Sequence, residues 1–274
     1  MTETERVTTT SSRGEHEVGA DYVQSLARGL SVIRAFDAEH PELTLSDVAR
    51  AAGLTRASAR RFLRTLTELG YVRSNGRLFA LRPRVLELGY AYLSSMSLHE
   101  VALPHLEHLV GELRESSSVS VLDADDVVYI ARVPTRRIMT ITISVGTRFP
   151  AYATSMGRVL LAGQSDEWLD GYFATVELRR LTARTVTDVD ALRAELLLVR
   201  EQGWSFVDEE LEEGLRAIAA PIHDLSGRVT AAVNVSSPVS RGSADLVREE
   251  FLPHLLATAS GIEEDLRHST RRSR

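Results

Sequence analysis

The run Leu45-Ser46-Asp47-Val48-Ala49-Arg50-Ala51-Ala52-Gly53-Leu54-Thr55-Arg56-Ala57-Ser58-Ala59-Arg60-Arg61-Phe62-Leu63 decides the fold of the N-terminal part of the chain. Leu45 to Ala52 reads as a short helix capped by Ser46. Gly53 is a break, and Thr55 caps a second helix with Ala59, Phe62, Leu63 and Leu66 on one face. Two helices that cross at a sharp angle need a small residue at the crossing and a glycine at the turn, and Ala49 and Gly53 have that spacing. Leu45, Val48, Leu54, Ala59 and Phe62 then form a small core. Thr55, Arg56, Ala57, Ser58, Arg60, Arg61 and Arg64 divide between the remaining faces. A Thr/Arg/Ser group at a helix N-terminus meets phosphates and base edges together, and Arg is the usual bidentate partner of guanine. The spacing predicts a helix-turn-helix for double-stranded operator DNA.

Outward from this run, Gly70 closes the second helix. Tyr71-Val72-Arg73 and Leu78-Phe79-Ala80-Leu81 flank Ser74-Asn75-Gly76-Arg77, the Asn-Gly signal of a β-hairpin. Arg73 and Arg77 make that hairpin a wing against the DNA backbone. Upstream, Leu26, Leu30, Ile33 and Phe36 are spaced as on one helix face, which His40 and Pro41 end. Gln24 and Ser25 on this helix, with Ser46, complete the DNA-facing set. Residues 22–97 hold 11 Arg against 6 Asp/Glu and the rest holds 21 against 32, an asymmetry hidden inside a net charge of -6. The alternative is a small packing module whose arginines form a solvated face.

Pro83 opens a further helix with Val85, Leu88, Tyr92 and Leu93 on one side, running to about Ser97 as an inter-domain linker. Five parts are expected: a disordered tail over 1–21, a winged domain over 22–82, the linker helix over 83–97, a second domain over 98–267 and a frayed tail over 268–274. In the second domain a helix to about Glu115 precedes three strands in a meander, SSVSVLD, VVYIARV and IMTITISV. Thr154 or Ser155 caps a helix through Leu161, and Asp188 or Asp190 starts another ending near Gly203. Strands WSFVD, LRAIAAPIHD and RVTAAVNVSS lead into a last helix from about Ala244 to Leu266. Hairpins outnumber βαβ units, so the fold class is α+β, its second half an antiparallel sheet with flanking helices on one side.

Across the 274 residues there is no cysteine, and all 32 basic residues are Arg. Thiolate catalysis, Cys-type zinc sites, disulfides, Schiff bases and P-loop lysines are thereby excluded. No run approaches the roughly 18 apolar residues of a membrane helix, and the polar start has no signal core, so a cytoplasmic protein is expected. His105, His108 and Glu112 have a spacing that could hold a metal, but a solvated helix face is the simpler account, and neither metal nor cofactor is expected. The cluster Asp208, Glu209, Glu210, Glu212 and Glu213 reads as a solvated loop, with Glu213-Gly214 shaping a lid. Ser116-Ser117-Ser118 lacks the G-x-S-x-G context of a nucleophile. Ser155, Met156 and Gly157 lie where a loop enters a helix, so free N–H groups and the helix dipole suit a carboxylate. Asn234 and Ser236 share one strand face, which is either solvent or pocket.

Tyr22 to Leu30, Leu45 to Gly53 and Thr55 to Gly70 together resemble the start of IclR-family transcriptional regulators. Arg148 to Ala162, Asp208 to Arg216 and Ala231 to Pro238 are similar to that family's effector-domain signatures, in the correct order over residues 22 to about 266. Within the family the chain resembles the PcaR/PobR/PcaU group, regulators of aromatic-acid catabolism through protocatechuate and the β-ketoadipate route. The resemblance implies a winged helix, a dimerising linker helix and a GAF-like effector domain, with homodimers that pair into tetramers and no catalytic residues. It carries effector-pocket roles onto Ile138, Ile141, Phe149, Thr154, Ser155, Met156, Gly157, Val207, Leu215 and Ala217, with Asn234 and Ser236 hydrogen-bonding. Relatives can carry an acid where Val207 stands and Ser where Asn234 stands, so the ligand's polar pattern is expected to differ from theirs. The effector implied is a small organic acid, aromatic in character. The rival reading is an enzyme acting on a small acid, with a protein-docking first domain.

Overall fold

The computed structural model describes residues 22–37, 39–89, 97–135 and 143–272, so the tail over 1–21 lies outside it. The chain separates into two compact units, Met1–Ala91 and Tyr92–Arg274.

In the first unit α1 (Gln24–Ile33), α2 (Leu45–Ala51) and α3 (Arg56–Glu68) bury Val32, Phe36, Val48, Leu63 and Leu66 in one core. α2 starts at Thr44 and not at Ser46, which is exposed on the first turn. The Thr44 hydroxyl accepts the Asp47 N–H at 3.3 Å while the Asp47 carboxylate accepts the Thr44 N–H at 3.4 Å. This reciprocal box needs its acid at the third helical position, which selects Thr44 over its neighbour. α2 stops at Gly53, φ +63°, where the Leu54 N–H bonds the Ala49 carbonyl at 2.8 Å and the Gly53 N–H bonds that of Arg50 at 3.2 Å. That left-handed stop turns the chain at once into Thr55, whose hydroxyl caps α3 through the Ser58 N–H at 3.2 Å.

Three short strands follow the order β1-β3-β2: β1 (Leu43–Thr44), β2 (Val72–Ser74) and β3 (Leu78–Leu81). Asn75 Oδ1 accepts the N–H groups of Arg77 and Leu78 at the hairpin tip, and Gly76 takes φ +94°. β1 is two residues long and carries no periodicity by which the sequence could show it. The buried face of α1 also differs from expectation: Val32 is buried, whereas Leu26 and Leu30 are 64% and 48% exposed. Two apolar stripes overlap on this helix, and the approach of Gly29 to Phe62 of α3 selects the one through Val32 and Phe36. Of the expected linker helix, Pro83–Val85 forms a 3-10 turn and 86–89 is helical, while 90–96 lies outside the described residues.

The second unit is a six-stranded sheet, antiparallel throughout, in the order β6-β5-β4-β9-β8-β7. Its strands are β4 (Ser116–Asp123), β5 (Asp126–Val133), β6 (Arg148–Pro150), β7 (Ser205–Asp208), β8 (Leu215–His223) and β9 (Val229–Pro238). Its helices are α4 (Ser97–Leu113), α5 (Ser155–Ala162), α6 (Asp166–Thr175), α7 (Val189–Gln202) and α8 (Ala244–Arg272). The helices cover both faces, contrary to the one-sided arrangement expected. α4 and α8 lie over Val119, Ala131, Ile218, Ala220, Val233 and Val235, and α5 lies over Val127, Tyr129, Ala219 and Ala232 with α6 and α7 behind it. Strands buried on both faces lose alternation, as the runs Ile218-Ala219-Ala220 and Ala231 to Val235 do.

Three further differences are local. α6, capped by Ser165 through the Trp168 N–H, was not expected from the sequence. Most of the third meander strand, 138–142, lies outside the described residues, and the strand that pairs with β5 is β6. α8 runs on through Arg272, so residues 268–272 are helical where a frayed tail was expected.

The start of α5 is seated by close backbone contact, because a Cβ at Gly157 would fall onto the carbonyl of Ala151. Backbone cannot yield as a side-chain tip can, so Gly157→Ala is expected to cost about 3 kcal/mol, the upper end of ordinary overpacking. Denaturant unfolding checks this; wild-type stability in the variant would show that the turn before α5 is free to move.

Candidate functional site

On the first unit α3 presents Thr55, Arg56, Ala57, Arg60 and Arg61 to solvent, with Ser58 half-buried. Ion pairs sort the arginines of this unit. Arg50 is held by Asp47, Arg64 by Glu68, Arg73 by Glu42 and Arg84 by Glu87. Arg56, Arg60, Arg61 and Arg77 pair with no carboxylate among the described residues, as do Arg28, Arg34 and Arg82. Arg77 sits at the wing tip, whereas the expected wing residue Arg73 is tied to Glu42 at 2.9 Å. Gln24, Ser25 and Ser46 are exposed on their helices.

On the second unit a cavity opens over one face of the sheet. Its lining includes Thr154, Ser155, Met156, Val207, Leu215, Ala217, Asn234 and Ser236 of the expected set. Cross-strand register explains the grouping: Asn234 stands opposite Ser118 and Ala219, and Ser236 opposite Ser116 and Ala217, while Val207 faces Ala217. Thr154 caps α5 by accepting the Gly157 N–H at 3.0 Å. The N–H groups of Ser155 and Met156, in the first turn, have no intrahelical acceptor. The Ser155 hydroxyl is buried and finds no hydrogen-bond partner among the described residues. Asn234 Oδ1 accepts the Ser118 N–H at 3.1 Å, which fixes the amide's orientation and leaves its NH2 to donate elsewhere.

Both parts of the sequence match one family. The IclR helix-turn-helix domain matches residues 25–76, and the C-terminal domain of the bacterial transcriptional regulator IclR matches 90–264. The chain belongs to the IclR family of transcriptional regulators. The Pca regulon regulatory protein of Pseudomonas putida is 46% identical over 88% of this chain and 84% of its own length. A solved Rhodococcus sp. RHA1 protein, described as a transcriptional regulator, shares 58% identity over 90% of this chain and 100% of its own, with a TM-score of 0.82. An IclR homologue from Microbacterium hydrocarbonoxydans, solved in complex with 4-hydroxybenzoate, is 29% identical over 89% of this chain and 99% of its own, at a TM-score of 0.78. The matched helix-turn-helix and C-terminal domains are those of transcriptional regulators, and the enzyme alternative falls with that.

Not every expected pocket residue of this IclR-family chain lines the cavity. Ile138 and Ile141 lie outside the described residues. Phe149 stacks edge-on against Tyr129 behind the lining, and Gly157 serves close packing. Tyr129, Ile143, Ala153 and Leu211 line the cavity unanticipated. Burial pushes the Tyr129 phenol up to about 12, so it stays protonated at neutral pH. Among the described residues no three metal-ligating side chains converge, and His105 bonds Asp265 at 2.9 Å.

The acidic run 208–213 is not a solvated loop, and this corrects the sequence reading. Glu210 is buried, and its carboxylate accepts Arg158 at 2.6 Å and the Val186 N–H at 3.0 Å. Arg158, 2% exposed on α5, also bonds the Tyr152 carbonyl at 3.1 Å. The Thr185 hydroxyl donates to the Glu210 carbonyl at 2.7 Å, and Glu209, at φ +60°, accepts the Gly214 N–H at 2.9 Å. Asp208 is held by Arg184 and Arg216. The loop is thereby clamped with Leu211 against the cavity. Glu210→Ala leaves the buried Arg158 with only its 3.9 Å contact to the partly exposed Glu195 and is expected to cost about 3 kcal/mol, with Glu210→Gln costing less because it still accepts. Equal stability of both variants and the wild type in denaturant titration would mean that the loop carries no clamp.

Proposed function

We propose that this regulator is a ligand switch: α3 and the wing read operator DNA, and a small aromatic carboxylic acid bound in the cavity shifts a homodimer between DNA-competent and incompetent arrangements. Such coupling requires that ligand bind the two arrangements unequally. The proposed division is a winged domain over 22–82, a linker helix over 83–97 that dimerises, and an effector domain over 98–267, with dimers able to pair into tetramers in the cytoplasm. The observation that carries the effector reading is Ser155, a buried hydroxyl without a partner among the described residues, at the open first turn of α5 and lining an otherwise largely apolar cavity. The name of the Pseudomonas putida relative and the 4-hydroxybenzoate bound to the Microbacterium homologue support an acid of the protocatechuate, 4-hydroxybenzoate or β-ketoadipate kind, and control of its catabolism.

Asn234→Val removes a hydrogen-bonding group from an apolar pocket and is expected to lower effector affinity by about 1–3 kcal/mol, with operator affinity barely changed. Ser155→Pro is expected to act more severely, since it deletes a backbone N–H at the anion site. Calorimetric titration with aromatic acids checks both; unchanged binding in the two variants would place the effector elsewhere. On the DNA side, Arg56→Ala and Arg60→Ala are each expected to weaken operator binding by about 1–3 kcal/mol where the side chain meets a base edge. Arg77→Ala is expected instead to weaken all sequences alike and flatten the salt slope by roughly one unit. Filter binding to the DNA upstream of the coding region at graded salt reads both effects, and normal operator affinity in the α3 variants would remove that helix from the interface.

A further inference from the structure

Resting on the reading of α3 as the helix that meets operator bases, we propose that Arg84, in the first turn of the linker, is the positioning residue that sets the pose of α3, so that operator reading depends on how the linker starts. α3 enters the core through Ala59, Leu63 and Leu66, and its last residues, Thr67 to Leu69, are exposed. The end of the helix is therefore held from outside the core. Gly70, at φ +81°, stops α3 with its N–H on the Thr67 carbonyl at 3.0 Å, and the Tyr71 N–H closes on the Leu66 carbonyl at 2.9 Å. The Leu69 carbonyl accepts the Arg84 guanidinium instead, at 2.8 Å, across fifteen residues of chain.

Further contacts converge on that guanidinium. It lies over the Tyr71 ring, 5.4 Å from the ring centre, and donates to the Glu87 carboxylate at 3.3 Å in the helical stretch 86–89. A Cβ at Gly70 would come within 3.4 Å of it, so Arg84 lies across the stop of α3. The backbone prepares this approach: the Arg82 N–H bonds the Tyr71 carbonyl at 2.8 Å, and Pro83 opens the 3-10 turn from which Arg84 folds back. One side chain thus ties the end of α3, the base of the wing and the first turn of the linker, with its charge at the negative end of the α3 dipole. Arg84 and Glu87 are each more than half exposed, so the tie adds little stability and its effect is on position. α3 has 13 residues and is roughly 20 Å long, and a tilt of about 10° at its C-terminal end displaces Arg56 by about 3 Å, the length of a hydrogen bond. A bidentate contact to a base edge does not survive such a displacement.

The test uses the full-length protein and the sequence that the wild type enriches from a random duplex pool, with an unrelated duplex of the same length as the non-specific probe. Arg84→Met is expected to weaken binding of the enriched sequence about tenfold and to change binding of the unrelated duplex by less than about twofold. Arg84→Lys, which keeps the charge but cannot span a carbonyl and a carboxylate at once, is expected to fall between the Met variant and the wild type. Glu87→Ala decides the mechanism. A positioning tie gives about threefold weaker binding of the enriched sequence, with no further loss when this change is combined with Arg84→Met. An Arg84 that itself meets phosphates gives the opposite sign, because removing the neighbouring acid then tightens binding. Unchanged or tighter binding by Glu87→Ala overturns the proposal, as do equal losses on both duplexes in Arg84→Met with a salt slope lower by about one unit, and both results leave α3 as the reader. Should Arg84→Met melt below the assay temperature, Glu87→Ala carries the test alone. Failure of the wild type to enrich any sequence overturns the proposal together with the reading of α3 beneath it.

Discussion

A single buried cation organises the effector unit. Arg158 projects from α5 into the interior, and its charge is balanced by Glu210 from a loop distant in sequence. Taking both charges out of water is costly, and their attraction recovers little net stability, so the pair's main effect is on arrangement. Any movement of the loop away from α5 leaves Glu210 unpaired and Arg158 with only its longer contact, 3.9 Å, to Glu195 of α7. The helix whose first turn carries Ser155 and the loop that carries Leu211 are accordingly fixed to one another, and two sides of the cavity are fixed with them.

The sheet beneath is two different surfaces on one set of strands. Toward α4 and α8 it shows Val119, Val121, Ala131, Val233 and Val235, a dry face made by aliphatic packing. Toward α5 it shows Ser116, Ser118 and Ser120 on β4 with Asn234 and Ser236 on β9. Buried hydroxyls and amides are stable only when paired, and several are: the Ser118 hydroxyl accepts from Arg132 at 3.2 Å, and Ser120 donates to Met156 Sδ at 3.2 Å. Those that line the cavity, Asn234 and Ser155 among them, keep hydrogen-bonding capacity in hand. Unpaired polarity in a buried face is costly, and here it is concentrated beneath α5.

Short-range grammar carried most of the fold. The Ala49–Gly53 spacing, the Asn75-Gly76 turn and the caps Thr55, Thr154 and Asp188 depend on neighbours within a few residues, so they can be read along the chain. What escaped the reading depends on contacts distant in sequence. Charge density at 208–213 is identical whether the loop is solvated or clamped, and only the arrival of Arg158 from α5 decides it. Tyr129 and Arg132 fall on opposite faces by simple alternation, and a bulge, which leaves no mark in the sequence of either strand, puts them on the same one. The exposed stripe of α1 was misjudged for a related reason: two periodic faces fit the helix equally, and packing against α3 chose between them.

The exclusive use of Arg then takes on a physical sense. A guanidinium is weakly hydrated and planar, so it tolerates burial and holds carboxylates and carbonyls through several donors at once, as Arg158, Arg200 and Arg216 do. A lysine at these places would offer one compact, strongly hydrated charge and could not bridge an acid and a carbonyl in fixed geometry. The same side chain, where no described acid reaches it, as at Arg56, Arg60 and Arg61 of α3 and at Arg77 of the wing, suits the forked recognition of phosphates and guanine edges. One residue type thus performs two tasks, separated by whether an acid stands within reach. In the first unit the acids Glu42, Asp47 and Glu68 neutralise particular arginines and leave Arg56, Arg60, Arg61 and Arg77 free, so the placement of a few carboxylates, more than the number of cations, defines the charged face.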